Sequence, residues 1–188
     1  MIKIGVTGSL SSGKTTVSKI LSIKKYPLFS ADKEVKKLYT KSFFIKKIKK
    51  NFKLEKNKAV KNQIKSKILK NDQNLKKLEK LIHPFIRNKM KNFIKLKKNN
   101  KILILEIPLL IESKLMKYFD VIFFVAAHKK NRIKRYLNSG GKKKIFNLLD
   151  KRQIKSSIKA KSCDYVIHNN RSFKMLKKNA KNLLKRYE

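Results

Sequence analysis

Cysteine is almost missing from this chain of 188 residues: Cys163 stands alone, so no internal disulfide can form. Without companion Cys or His at ligand spacing it gives no zinc signature, and it reads as a small residue near a strand. Long apolar runs are absent too. Nothing approaches the roughly 20 residues that cross a bilayer. The start, Met1 to Ser9, has neither a long apolar segment nor a small-residue cleavage site. The expected location is cytoplasmic, with no membrane partner. Acidic residues are scarce as well, 11 against 52 basic ones, for a formal net charge of +41.

Such a charge ordinarily points to nucleic acid or an anionic membrane. A binding face, however, would gather its cations and interleave aromatics for stacking, or form an amphipathic helix. Here the basic residues are spread along the chain. Apart from Arg87, Arg132, Arg135, Arg152, Arg171 and Arg186, all of them are Lys. Arg is the usual choice where phosphate is gripped in a plane, so the excess reads as composition bias at tolerant surface positions. Non-specific retention of RNA at low salt is the expected side effect, and no specific nucleic-acid partner is expected.

With 41% hydrophobic residues, the chain can bury a core of ordinary size, and 188 residues suggest a single domain. Five short β-rich runs stand out: Lys3–Thr7, Tyr26–Ser30, Ile102–Glu106, Asp120–Ala126 and Asp164–His168. The third and fourth are almost wholly apolar, as expected of strands covered on both faces. Helical spacing fills the intervals, which predicts an α/β fold with a parallel sheet and helices on both faces. Between the second and third runs, about 40–100, only helical spacing occurs, with Ile64, Ile68, Leu75, Leu78, Leu81 and Ile82 on the apolar side. This predicts a helical insertion. The break at Ser139-Gly140-Gly141, before a further helix pair or one bent helix, predicts a mobile lid over about 139–161.

Only 5 glycines are present, yet two of them complete a phosphate-binding motif. Gly8-Ser9-Leu10-Ser11-Ser12-Gly13-Lys14-Thr15 matches GxxxxGK[ST], directly after one predicted strand and before a predicted helix. The glycines let backbone N–H groups turn inward around phosphates, and the helix dipole adds to the same anion. Lys14 is expected on the β- and γ-phosphates of ATP, and Thr15 on Mg²⁺. Thr16 opens the helix beside the nucleotide. Asp32 follows the second run, where the carboxyl ends of parallel strands line the nucleotide crevice. It could take a proton from an acceptor hydroxyl, or cap a helix. On position alone both readings stand.

After the phosphate loop come Ser30-Ala31-Asp32, His83-Pro84, the run Glu106 to Glu112, and the closing Asp164 to Asn170. In that order they resemble the dephospho-coenzyme A kinase family over nearly the whole chain. The resemblance implies a P-loop NTPase fold with a helical acceptor-binding insertion and a lid. It also implies transfer from MgATP to the ribose 3′-hydroxyl of dephospho-CoA, with ATP and dephospho-CoA as partners. By the same resemblance Asp32 is the catalytic carboxylate, and His83 and Arg87 lie near the acceptor. Pro108, Leu109, Leu110 and Glu112 belong to a loop contacting it, and Glu106 meets Mg²⁺ through water. Asn170 belongs to a turn near adenine, and Arg171 replaces the family's usual Gly there.

In the lid the family carries arginines about one helical turn apart, whereas Arg135 here is followed at that spacing by Ser139. Arg135 is the expected catalytic cation, with Lys142 or Lys143 as substitutes for the missing one. The alternative places Arg135 on a solvated helix face with Lys129, Lys130, Arg132 and Lys134.

Overall fold

The computed structural model describes residues 1–23, 25–55 and 57–188. Five strands form one parallel sheet: β1 (Ile2–Gly8), β2 (Leu28–Ser30), β3 (Ile102–Glu106), β4 (Val121–Ala126) and β5 (Tyr165–His168). Their order is β2-β3-β1-β4-β5, so β1 lies at the centre. Every paired strand runs parallel. All residues of β3 are buried, as expected of an almost wholly apolar run, and with them Glu106 at its end. The second strand is shorter than its sequence suggests. Pro27 has no N–H to donate to the ladder, though its carbonyl accepts from Ile104 N.

The chain divides into two compact units, Met1–Ala31 with Phe93–Glu188, and Asp32–Asn92. In the first, Ile4, Val6, Ile104, Phe123 and Val125 of the sheet pack with Val17 and Leu21 of α1 (Lys14–Ser22). From a later helix, Phe173–Leu184, the core takes Leu176, Ala180 and Leu184. Ser172 caps that helix by accepting from Met175 N. Gly5 on β1 leaves no room for a Cβ beside Leu110 and Phe119, so the loop after β3 lies close against the central strand.

The second unit is helical. It draws on α2 (Ala31–Leu38), α3 (Ser42–Phe52), α4 (Val60–Lys70) and α5 (Gln73–Leu96), the first and last of which reach past its boundary. Phe44, Ile48 and Phe52 recur every fourth residue on α3 and meet Ile64, Leu78 and Ile82. Tyr39 and Phe85 stand edge-on to Phe44. Pro84 lies inside α5. Its missing N–H removes one helical bond, yet the helix continues.

After β4 come α6 (Lys129–Asn138), α7 (Lys143–Lys151) and α8 (Ser156–Lys161), so Lys142–Lys161 is a helix pair rather than one bent helix. At the break, Gly140 has φ 81, in the region that favours glycine, and a Cβ on Gly141 would collide with the Tyr136 ring. Among the described residues no helix is long and apolar enough to cross a membrane.

Candidate active site

The loop Gly8–Thr15 leaves the central strand and enters α1, so its amides stand at the carboxyl edge of the sheet. Gly13 has φ 99, and a Cβ there would collide with the Asn169 amide group. A Cβ on Gly8 would sit 2.5 Å from Val125 O. Both glycines are therefore fixed by close approach as well as by turn geometry. Ser12 N donates to Ser9 O at 3.1 Å, and the Ser12 hydroxyl is buried with no partner among the described residues. Lys14, 7% exposed, folds over the loop and donates from Nζ to Ser9 O at 3.0 Å. α1 has no acidic residue in its first turn, so nothing there opposes an anion. It begins at Lys14, which puts Thr16 inside the first turn rather than at its opening.

Glu106, fully buried, closes the floor of this site. Its register on β3 sets it opposite Val6 of β1 and Ser30 of β2. Thr15 Oγ1 donates to Glu106 Oε1 at 2.5 Å, and Ser30 Oγ donates to Oε2 at 2.7 Å. Each carboxylate oxygen thus has a hydroxyl donor, which compensates a buried charge that would otherwise be prohibitive. Because the Thr15 proton points at Glu106, the oxygen's lone pairs remain for a metal.

Residues of α6 and of the segment after it lie against the same loop. Arg135 donates to Asn169 O at 2.9 Å and Ser12 O at 3.4 Å, so it faces the phosphate loop rather than a solvated surface. Asn169 in turn donates from Nδ2 to Ser12 O at 2.8 Å. Arg132 departs most clearly from the alternative of a solvated face: it is 5% exposed, meets Asp150 Oδ1 at 2.5 Å, donates to Leu10 O at 3.4 Å and stacks over Phe146. Three residues before Arg135, it shares that side of α6 and reaches both the phosphate loop and α7. Lys142 and Lys143 are exposed. Leu10 N donates to Gln153 Oε1 at 3.1 Å, and the Ser9 and Ser156 hydroxyls lie 2.7 Å apart.

In the loop after β3, Pro108 O accepts from Thr7 Oγ1, and Ile107 N donates to Val6 O. Leu110 is fully buried, so its side chain serves packing and is withdrawn from any acceptor. Pro108 and Leu109 are half-buried. Glu112 pairs with Lys159 of α8. Asn170 accepts from His128 N at 2.7 Å, a bond that fixes the turn after β5, and Arg171 beside it is exposed. Asp32, His83 and Arg87 belong to the helical unit. Asp32 is exposed in the first turn of α2, and His83 is half-buried on α5. Burial holds the His83 imidazole below its usual pKa, with Arg87 adding to that effect and Glu79 opposing it.

Residues 2–174 match the sequence model of the dephospho-CoA kinase family. The chain belongs to that family. It is 33% identical over 172 residues to the dephospho-CoA kinase of Fusobacterium nucleatum, covering 89% of each chain. With that of Rickettsia conorii it shares 31% over 195 residues, covering 100% of this chain and 98% of the other. Among solved structures, TT1252 from Thermus thermophilus superposes with TM-score 0.79 at 25% identity, covering 98% of this chain and 97% of that one. Campylobacter jejuni dephospho-CoA kinase gives 0.65 at 23%, covering 99% and 97%, and shares the fold.

The residues of this family member fit a nucleotide. The cradle formed by Gly8 and Gly13, the unpartnered Ser12 hydroxyl and the folded-back Lys14 ammonium all suit a phosphate chain. No group of three or more His, Cys, Asp or Glu able to hold a metal occurs among the described residues. A divalent ion would therefore complete its shell with phosphate oxygens and water, as Mg²⁺ commonly does. Gln153 and Ser156 are absent from the sequence reading, and Asn169 enters it only as part of the closing run. Each acts by a single side-chain bond to the loop, which leaves no periodicity behind. Cys163 stays outside the chemistry, its thiol pushed up to about 11 by burial and by Asp164.

Proposed function

We propose that this chain transfers the γ-phosphoryl group of ATP to the ribose 3′-hydroxyl of dephospho-CoA, giving CoA and ADP in the last step of CoA synthesis. The match to the dephospho-CoA kinase family over residues 2–174 carries the choice of acceptor. The complete phosphate loop supports the choice of donor.

In this reading Lys14 leaves Ser9 O to follow the β- and γ-phosphates, and the loop amides hold their oxygens. Mg²⁺, when bound, supplies charge neutralisation across the same phosphates. Thr15 offers it a hydroxyl oxygen, and Glu106 keeps that hydroxyl aimed while accepting from a water in the metal's shell. Asp32 accepts the proton of the 3′-hydroxyl as its oxygen bonds to the γ-phosphorus. The bond from that phosphorus to the β,γ-bridging oxygen breaks, and ADP departs with the electron pair. Arg135 turns from Asn169 O toward the transferring group. His83, Arg87 and the loop at Pro108–Leu109 orient the acceptor.

Chromatography of a reaction holding ATP, Mg²⁺ and dephospho-CoA tests this. The product should co-elute with CoA and revert to dephospho-CoA on treatment with a 3′-nucleotidase. A product resistant to that enzyme would mean that another hydroxyl is phosphorylated.

A further inference from the structure

Among the described residues only Lys14 and Lys159 are buried lysines, in a chain with 52 basic residues. Lys14 has the phosphate loop to explain it. Lys159, on α8, has a side chain 0% exposed, and its Nζ meets Glu112 Oε1 at 2.5 Å. The pairing is incomplete. Neither Lys159 Nζ nor Glu112 Oε2 has a further hydrogen-bond partner among the described residues. A buried, under-satisfied ion pair is a poor device for stability, since an apolar pair of similar size commonly does as well or better.

What the pair joins is more informative. The segment from Gln153 to Lys159 reaches two places at once. Toward the phosphate loop, Gln153 accepts from Leu10 N at 3.1 Å and Ser156 lies 2.7 Å from the Ser9 hydroxyl. Toward the loop after β3, Ile154 N donates to Glu112 Oε1 at 3.2 Å, and Lys159 meets the same oxygen. Ser156 and Lys159 are three residues apart on one short helix, so they share a face. Fixing the phosphate loop therefore fixes Gln153 and Ser156, and through them the lysine that holds Glu112.

We infer that the Glu112–Lys159 pair is a latch that couples occupancy of the phosphate loop to the order of the loop Leu109–Glu112. Nucleotide and acceptor then bind cooperatively. The inference rests on the reading of dephospho-CoA as acceptor. Lys159 is a positioning residue, since it acts through Glu112 and touches neither phosphate nor ribose.

Calorimetric titration of a non-hydrolysable ATP analogue, with and without saturating dephospho-CoA, tests the latch. In the unsubstituted protein the acceptor should tighten analogue binding within the roughly 5–150-fold range of ordinary coupling between sites. Lys159→Met should bring that factor close to one while changing the affinity for analogue alone by less than about threefold. Because Lys159→Met strands a buried carboxylate, the double variant Lys159→Met/Glu112→Leu serves as a second arm. Its apolar pair should preserve cooperative melting and still lack coupling. Full coupling in a folded variant of either kind overturns the latch. If the unsubstituted protein phosphorylates dephospho-CoA but its analogue affinity ignores the acceptor, the latch alone falls. If it neither binds nor phosphorylates dephospho-CoA, the functional reading falls with it.

Discussion

Ser30 shows how a small residue can fix a buried carboxylate at the end of a neighbouring strand. Its hydroxyl occupies Glu106 Oε2 and leaves Oε1 to Thr15. Ser30→Ala would strand one buried carboxylate oxygen, and a hydrogen bond to a charged group is worth about 1.5–3 kcal/mol. Urea denaturation should register a loss of that size, and half-maximal activity should need more Mg²⁺. An unchanged Mg²⁺ requirement would separate Ser30 from the site. Asp32→Asn should leave ATP and acceptor affinities within a few-fold and slow transfer by roughly 10²–10⁴. Unchanged turnover with lower stability would reduce Asp32 to a first-turn partner of the α2 dipole, worth about 0.3–1 kcal/mol.

His83 supplies a pH prediction at the same scale. Its folded pKa lies below the usual value for burial reasons, so the unfolded chain binds the proton more readily. The associated stability is present above the unfolded pKa and is lost as pH falls through the folded one. Denaturation midpoints of the unsubstituted protein and His83→Gln should therefore converge as pH drops through the acid side of neutrality. Thr15 stands out in the sequence because a fixed motif marks it, whereas Glu106 is singled out only by the resemblance of its run to the family. Ser30's role was not legible, because it depends on register across β2 and β3.

At the scale of elements, the strands were legible where both faces are covered, since β3 and β4 are almost wholly apolar runs. β2 was overextended because Tyr26 is a core residue outside the ladder. The two arginines of α6 separate by partner rather than by direction. Both donate to phosphate-loop carbonyls at 3.4 Å, Arg132 to Leu10 O and Arg135 to Ser12 O, but Arg132 also pairs with Asp150 on α7 whereas Arg135 donates to Asn169 O. Periodicity alone could not tell them apart, because in a helix so rich in cations charge marks no face. Arg135→Ala should lose about 10³–10⁵ in rate with little change in melting, and Arg135→Lys should recover only part of it. Arg132→Ala should instead unfold more easily, by about 1.5–3 kcal/mol, because it leaves the partly buried Asp150 with only the more distant Lys129, at 3.9 Å. Side-by-side turnover and melting of the three variants decide this. Equal turnover in Arg135→Ala and the unsubstituted protein would remove Arg135 from the chemistry.

For the molecule as a whole, the charge of +41 and the shaped site make different demands on salt. Diffuse attraction to polyanions weakens steeply as salt rises, whereas the identity of the acceptor hydroxyl depends on contacts that salt screens little. The sheet and the phosphate loop were legible because strand, glycine turn and helix follow one another without interruption. The contact boundary of the helical unit was not, since Asp32 and Asn92 both lie within helices and no break in composition marks them. The most direct test is coupled ADP release, measured with dephospho-CoA, adenosine and a nucleoside monophosphate as acceptors at low and physiological salt. Dephospho-CoA should be preferred strongly, with a ratio to adenosine that stays nearly constant as salt rises. Equal or better turnover of adenosine or the monophosphate, or a ratio that collapses with salt, would contradict dephospho-CoA as the acceptor this site selects.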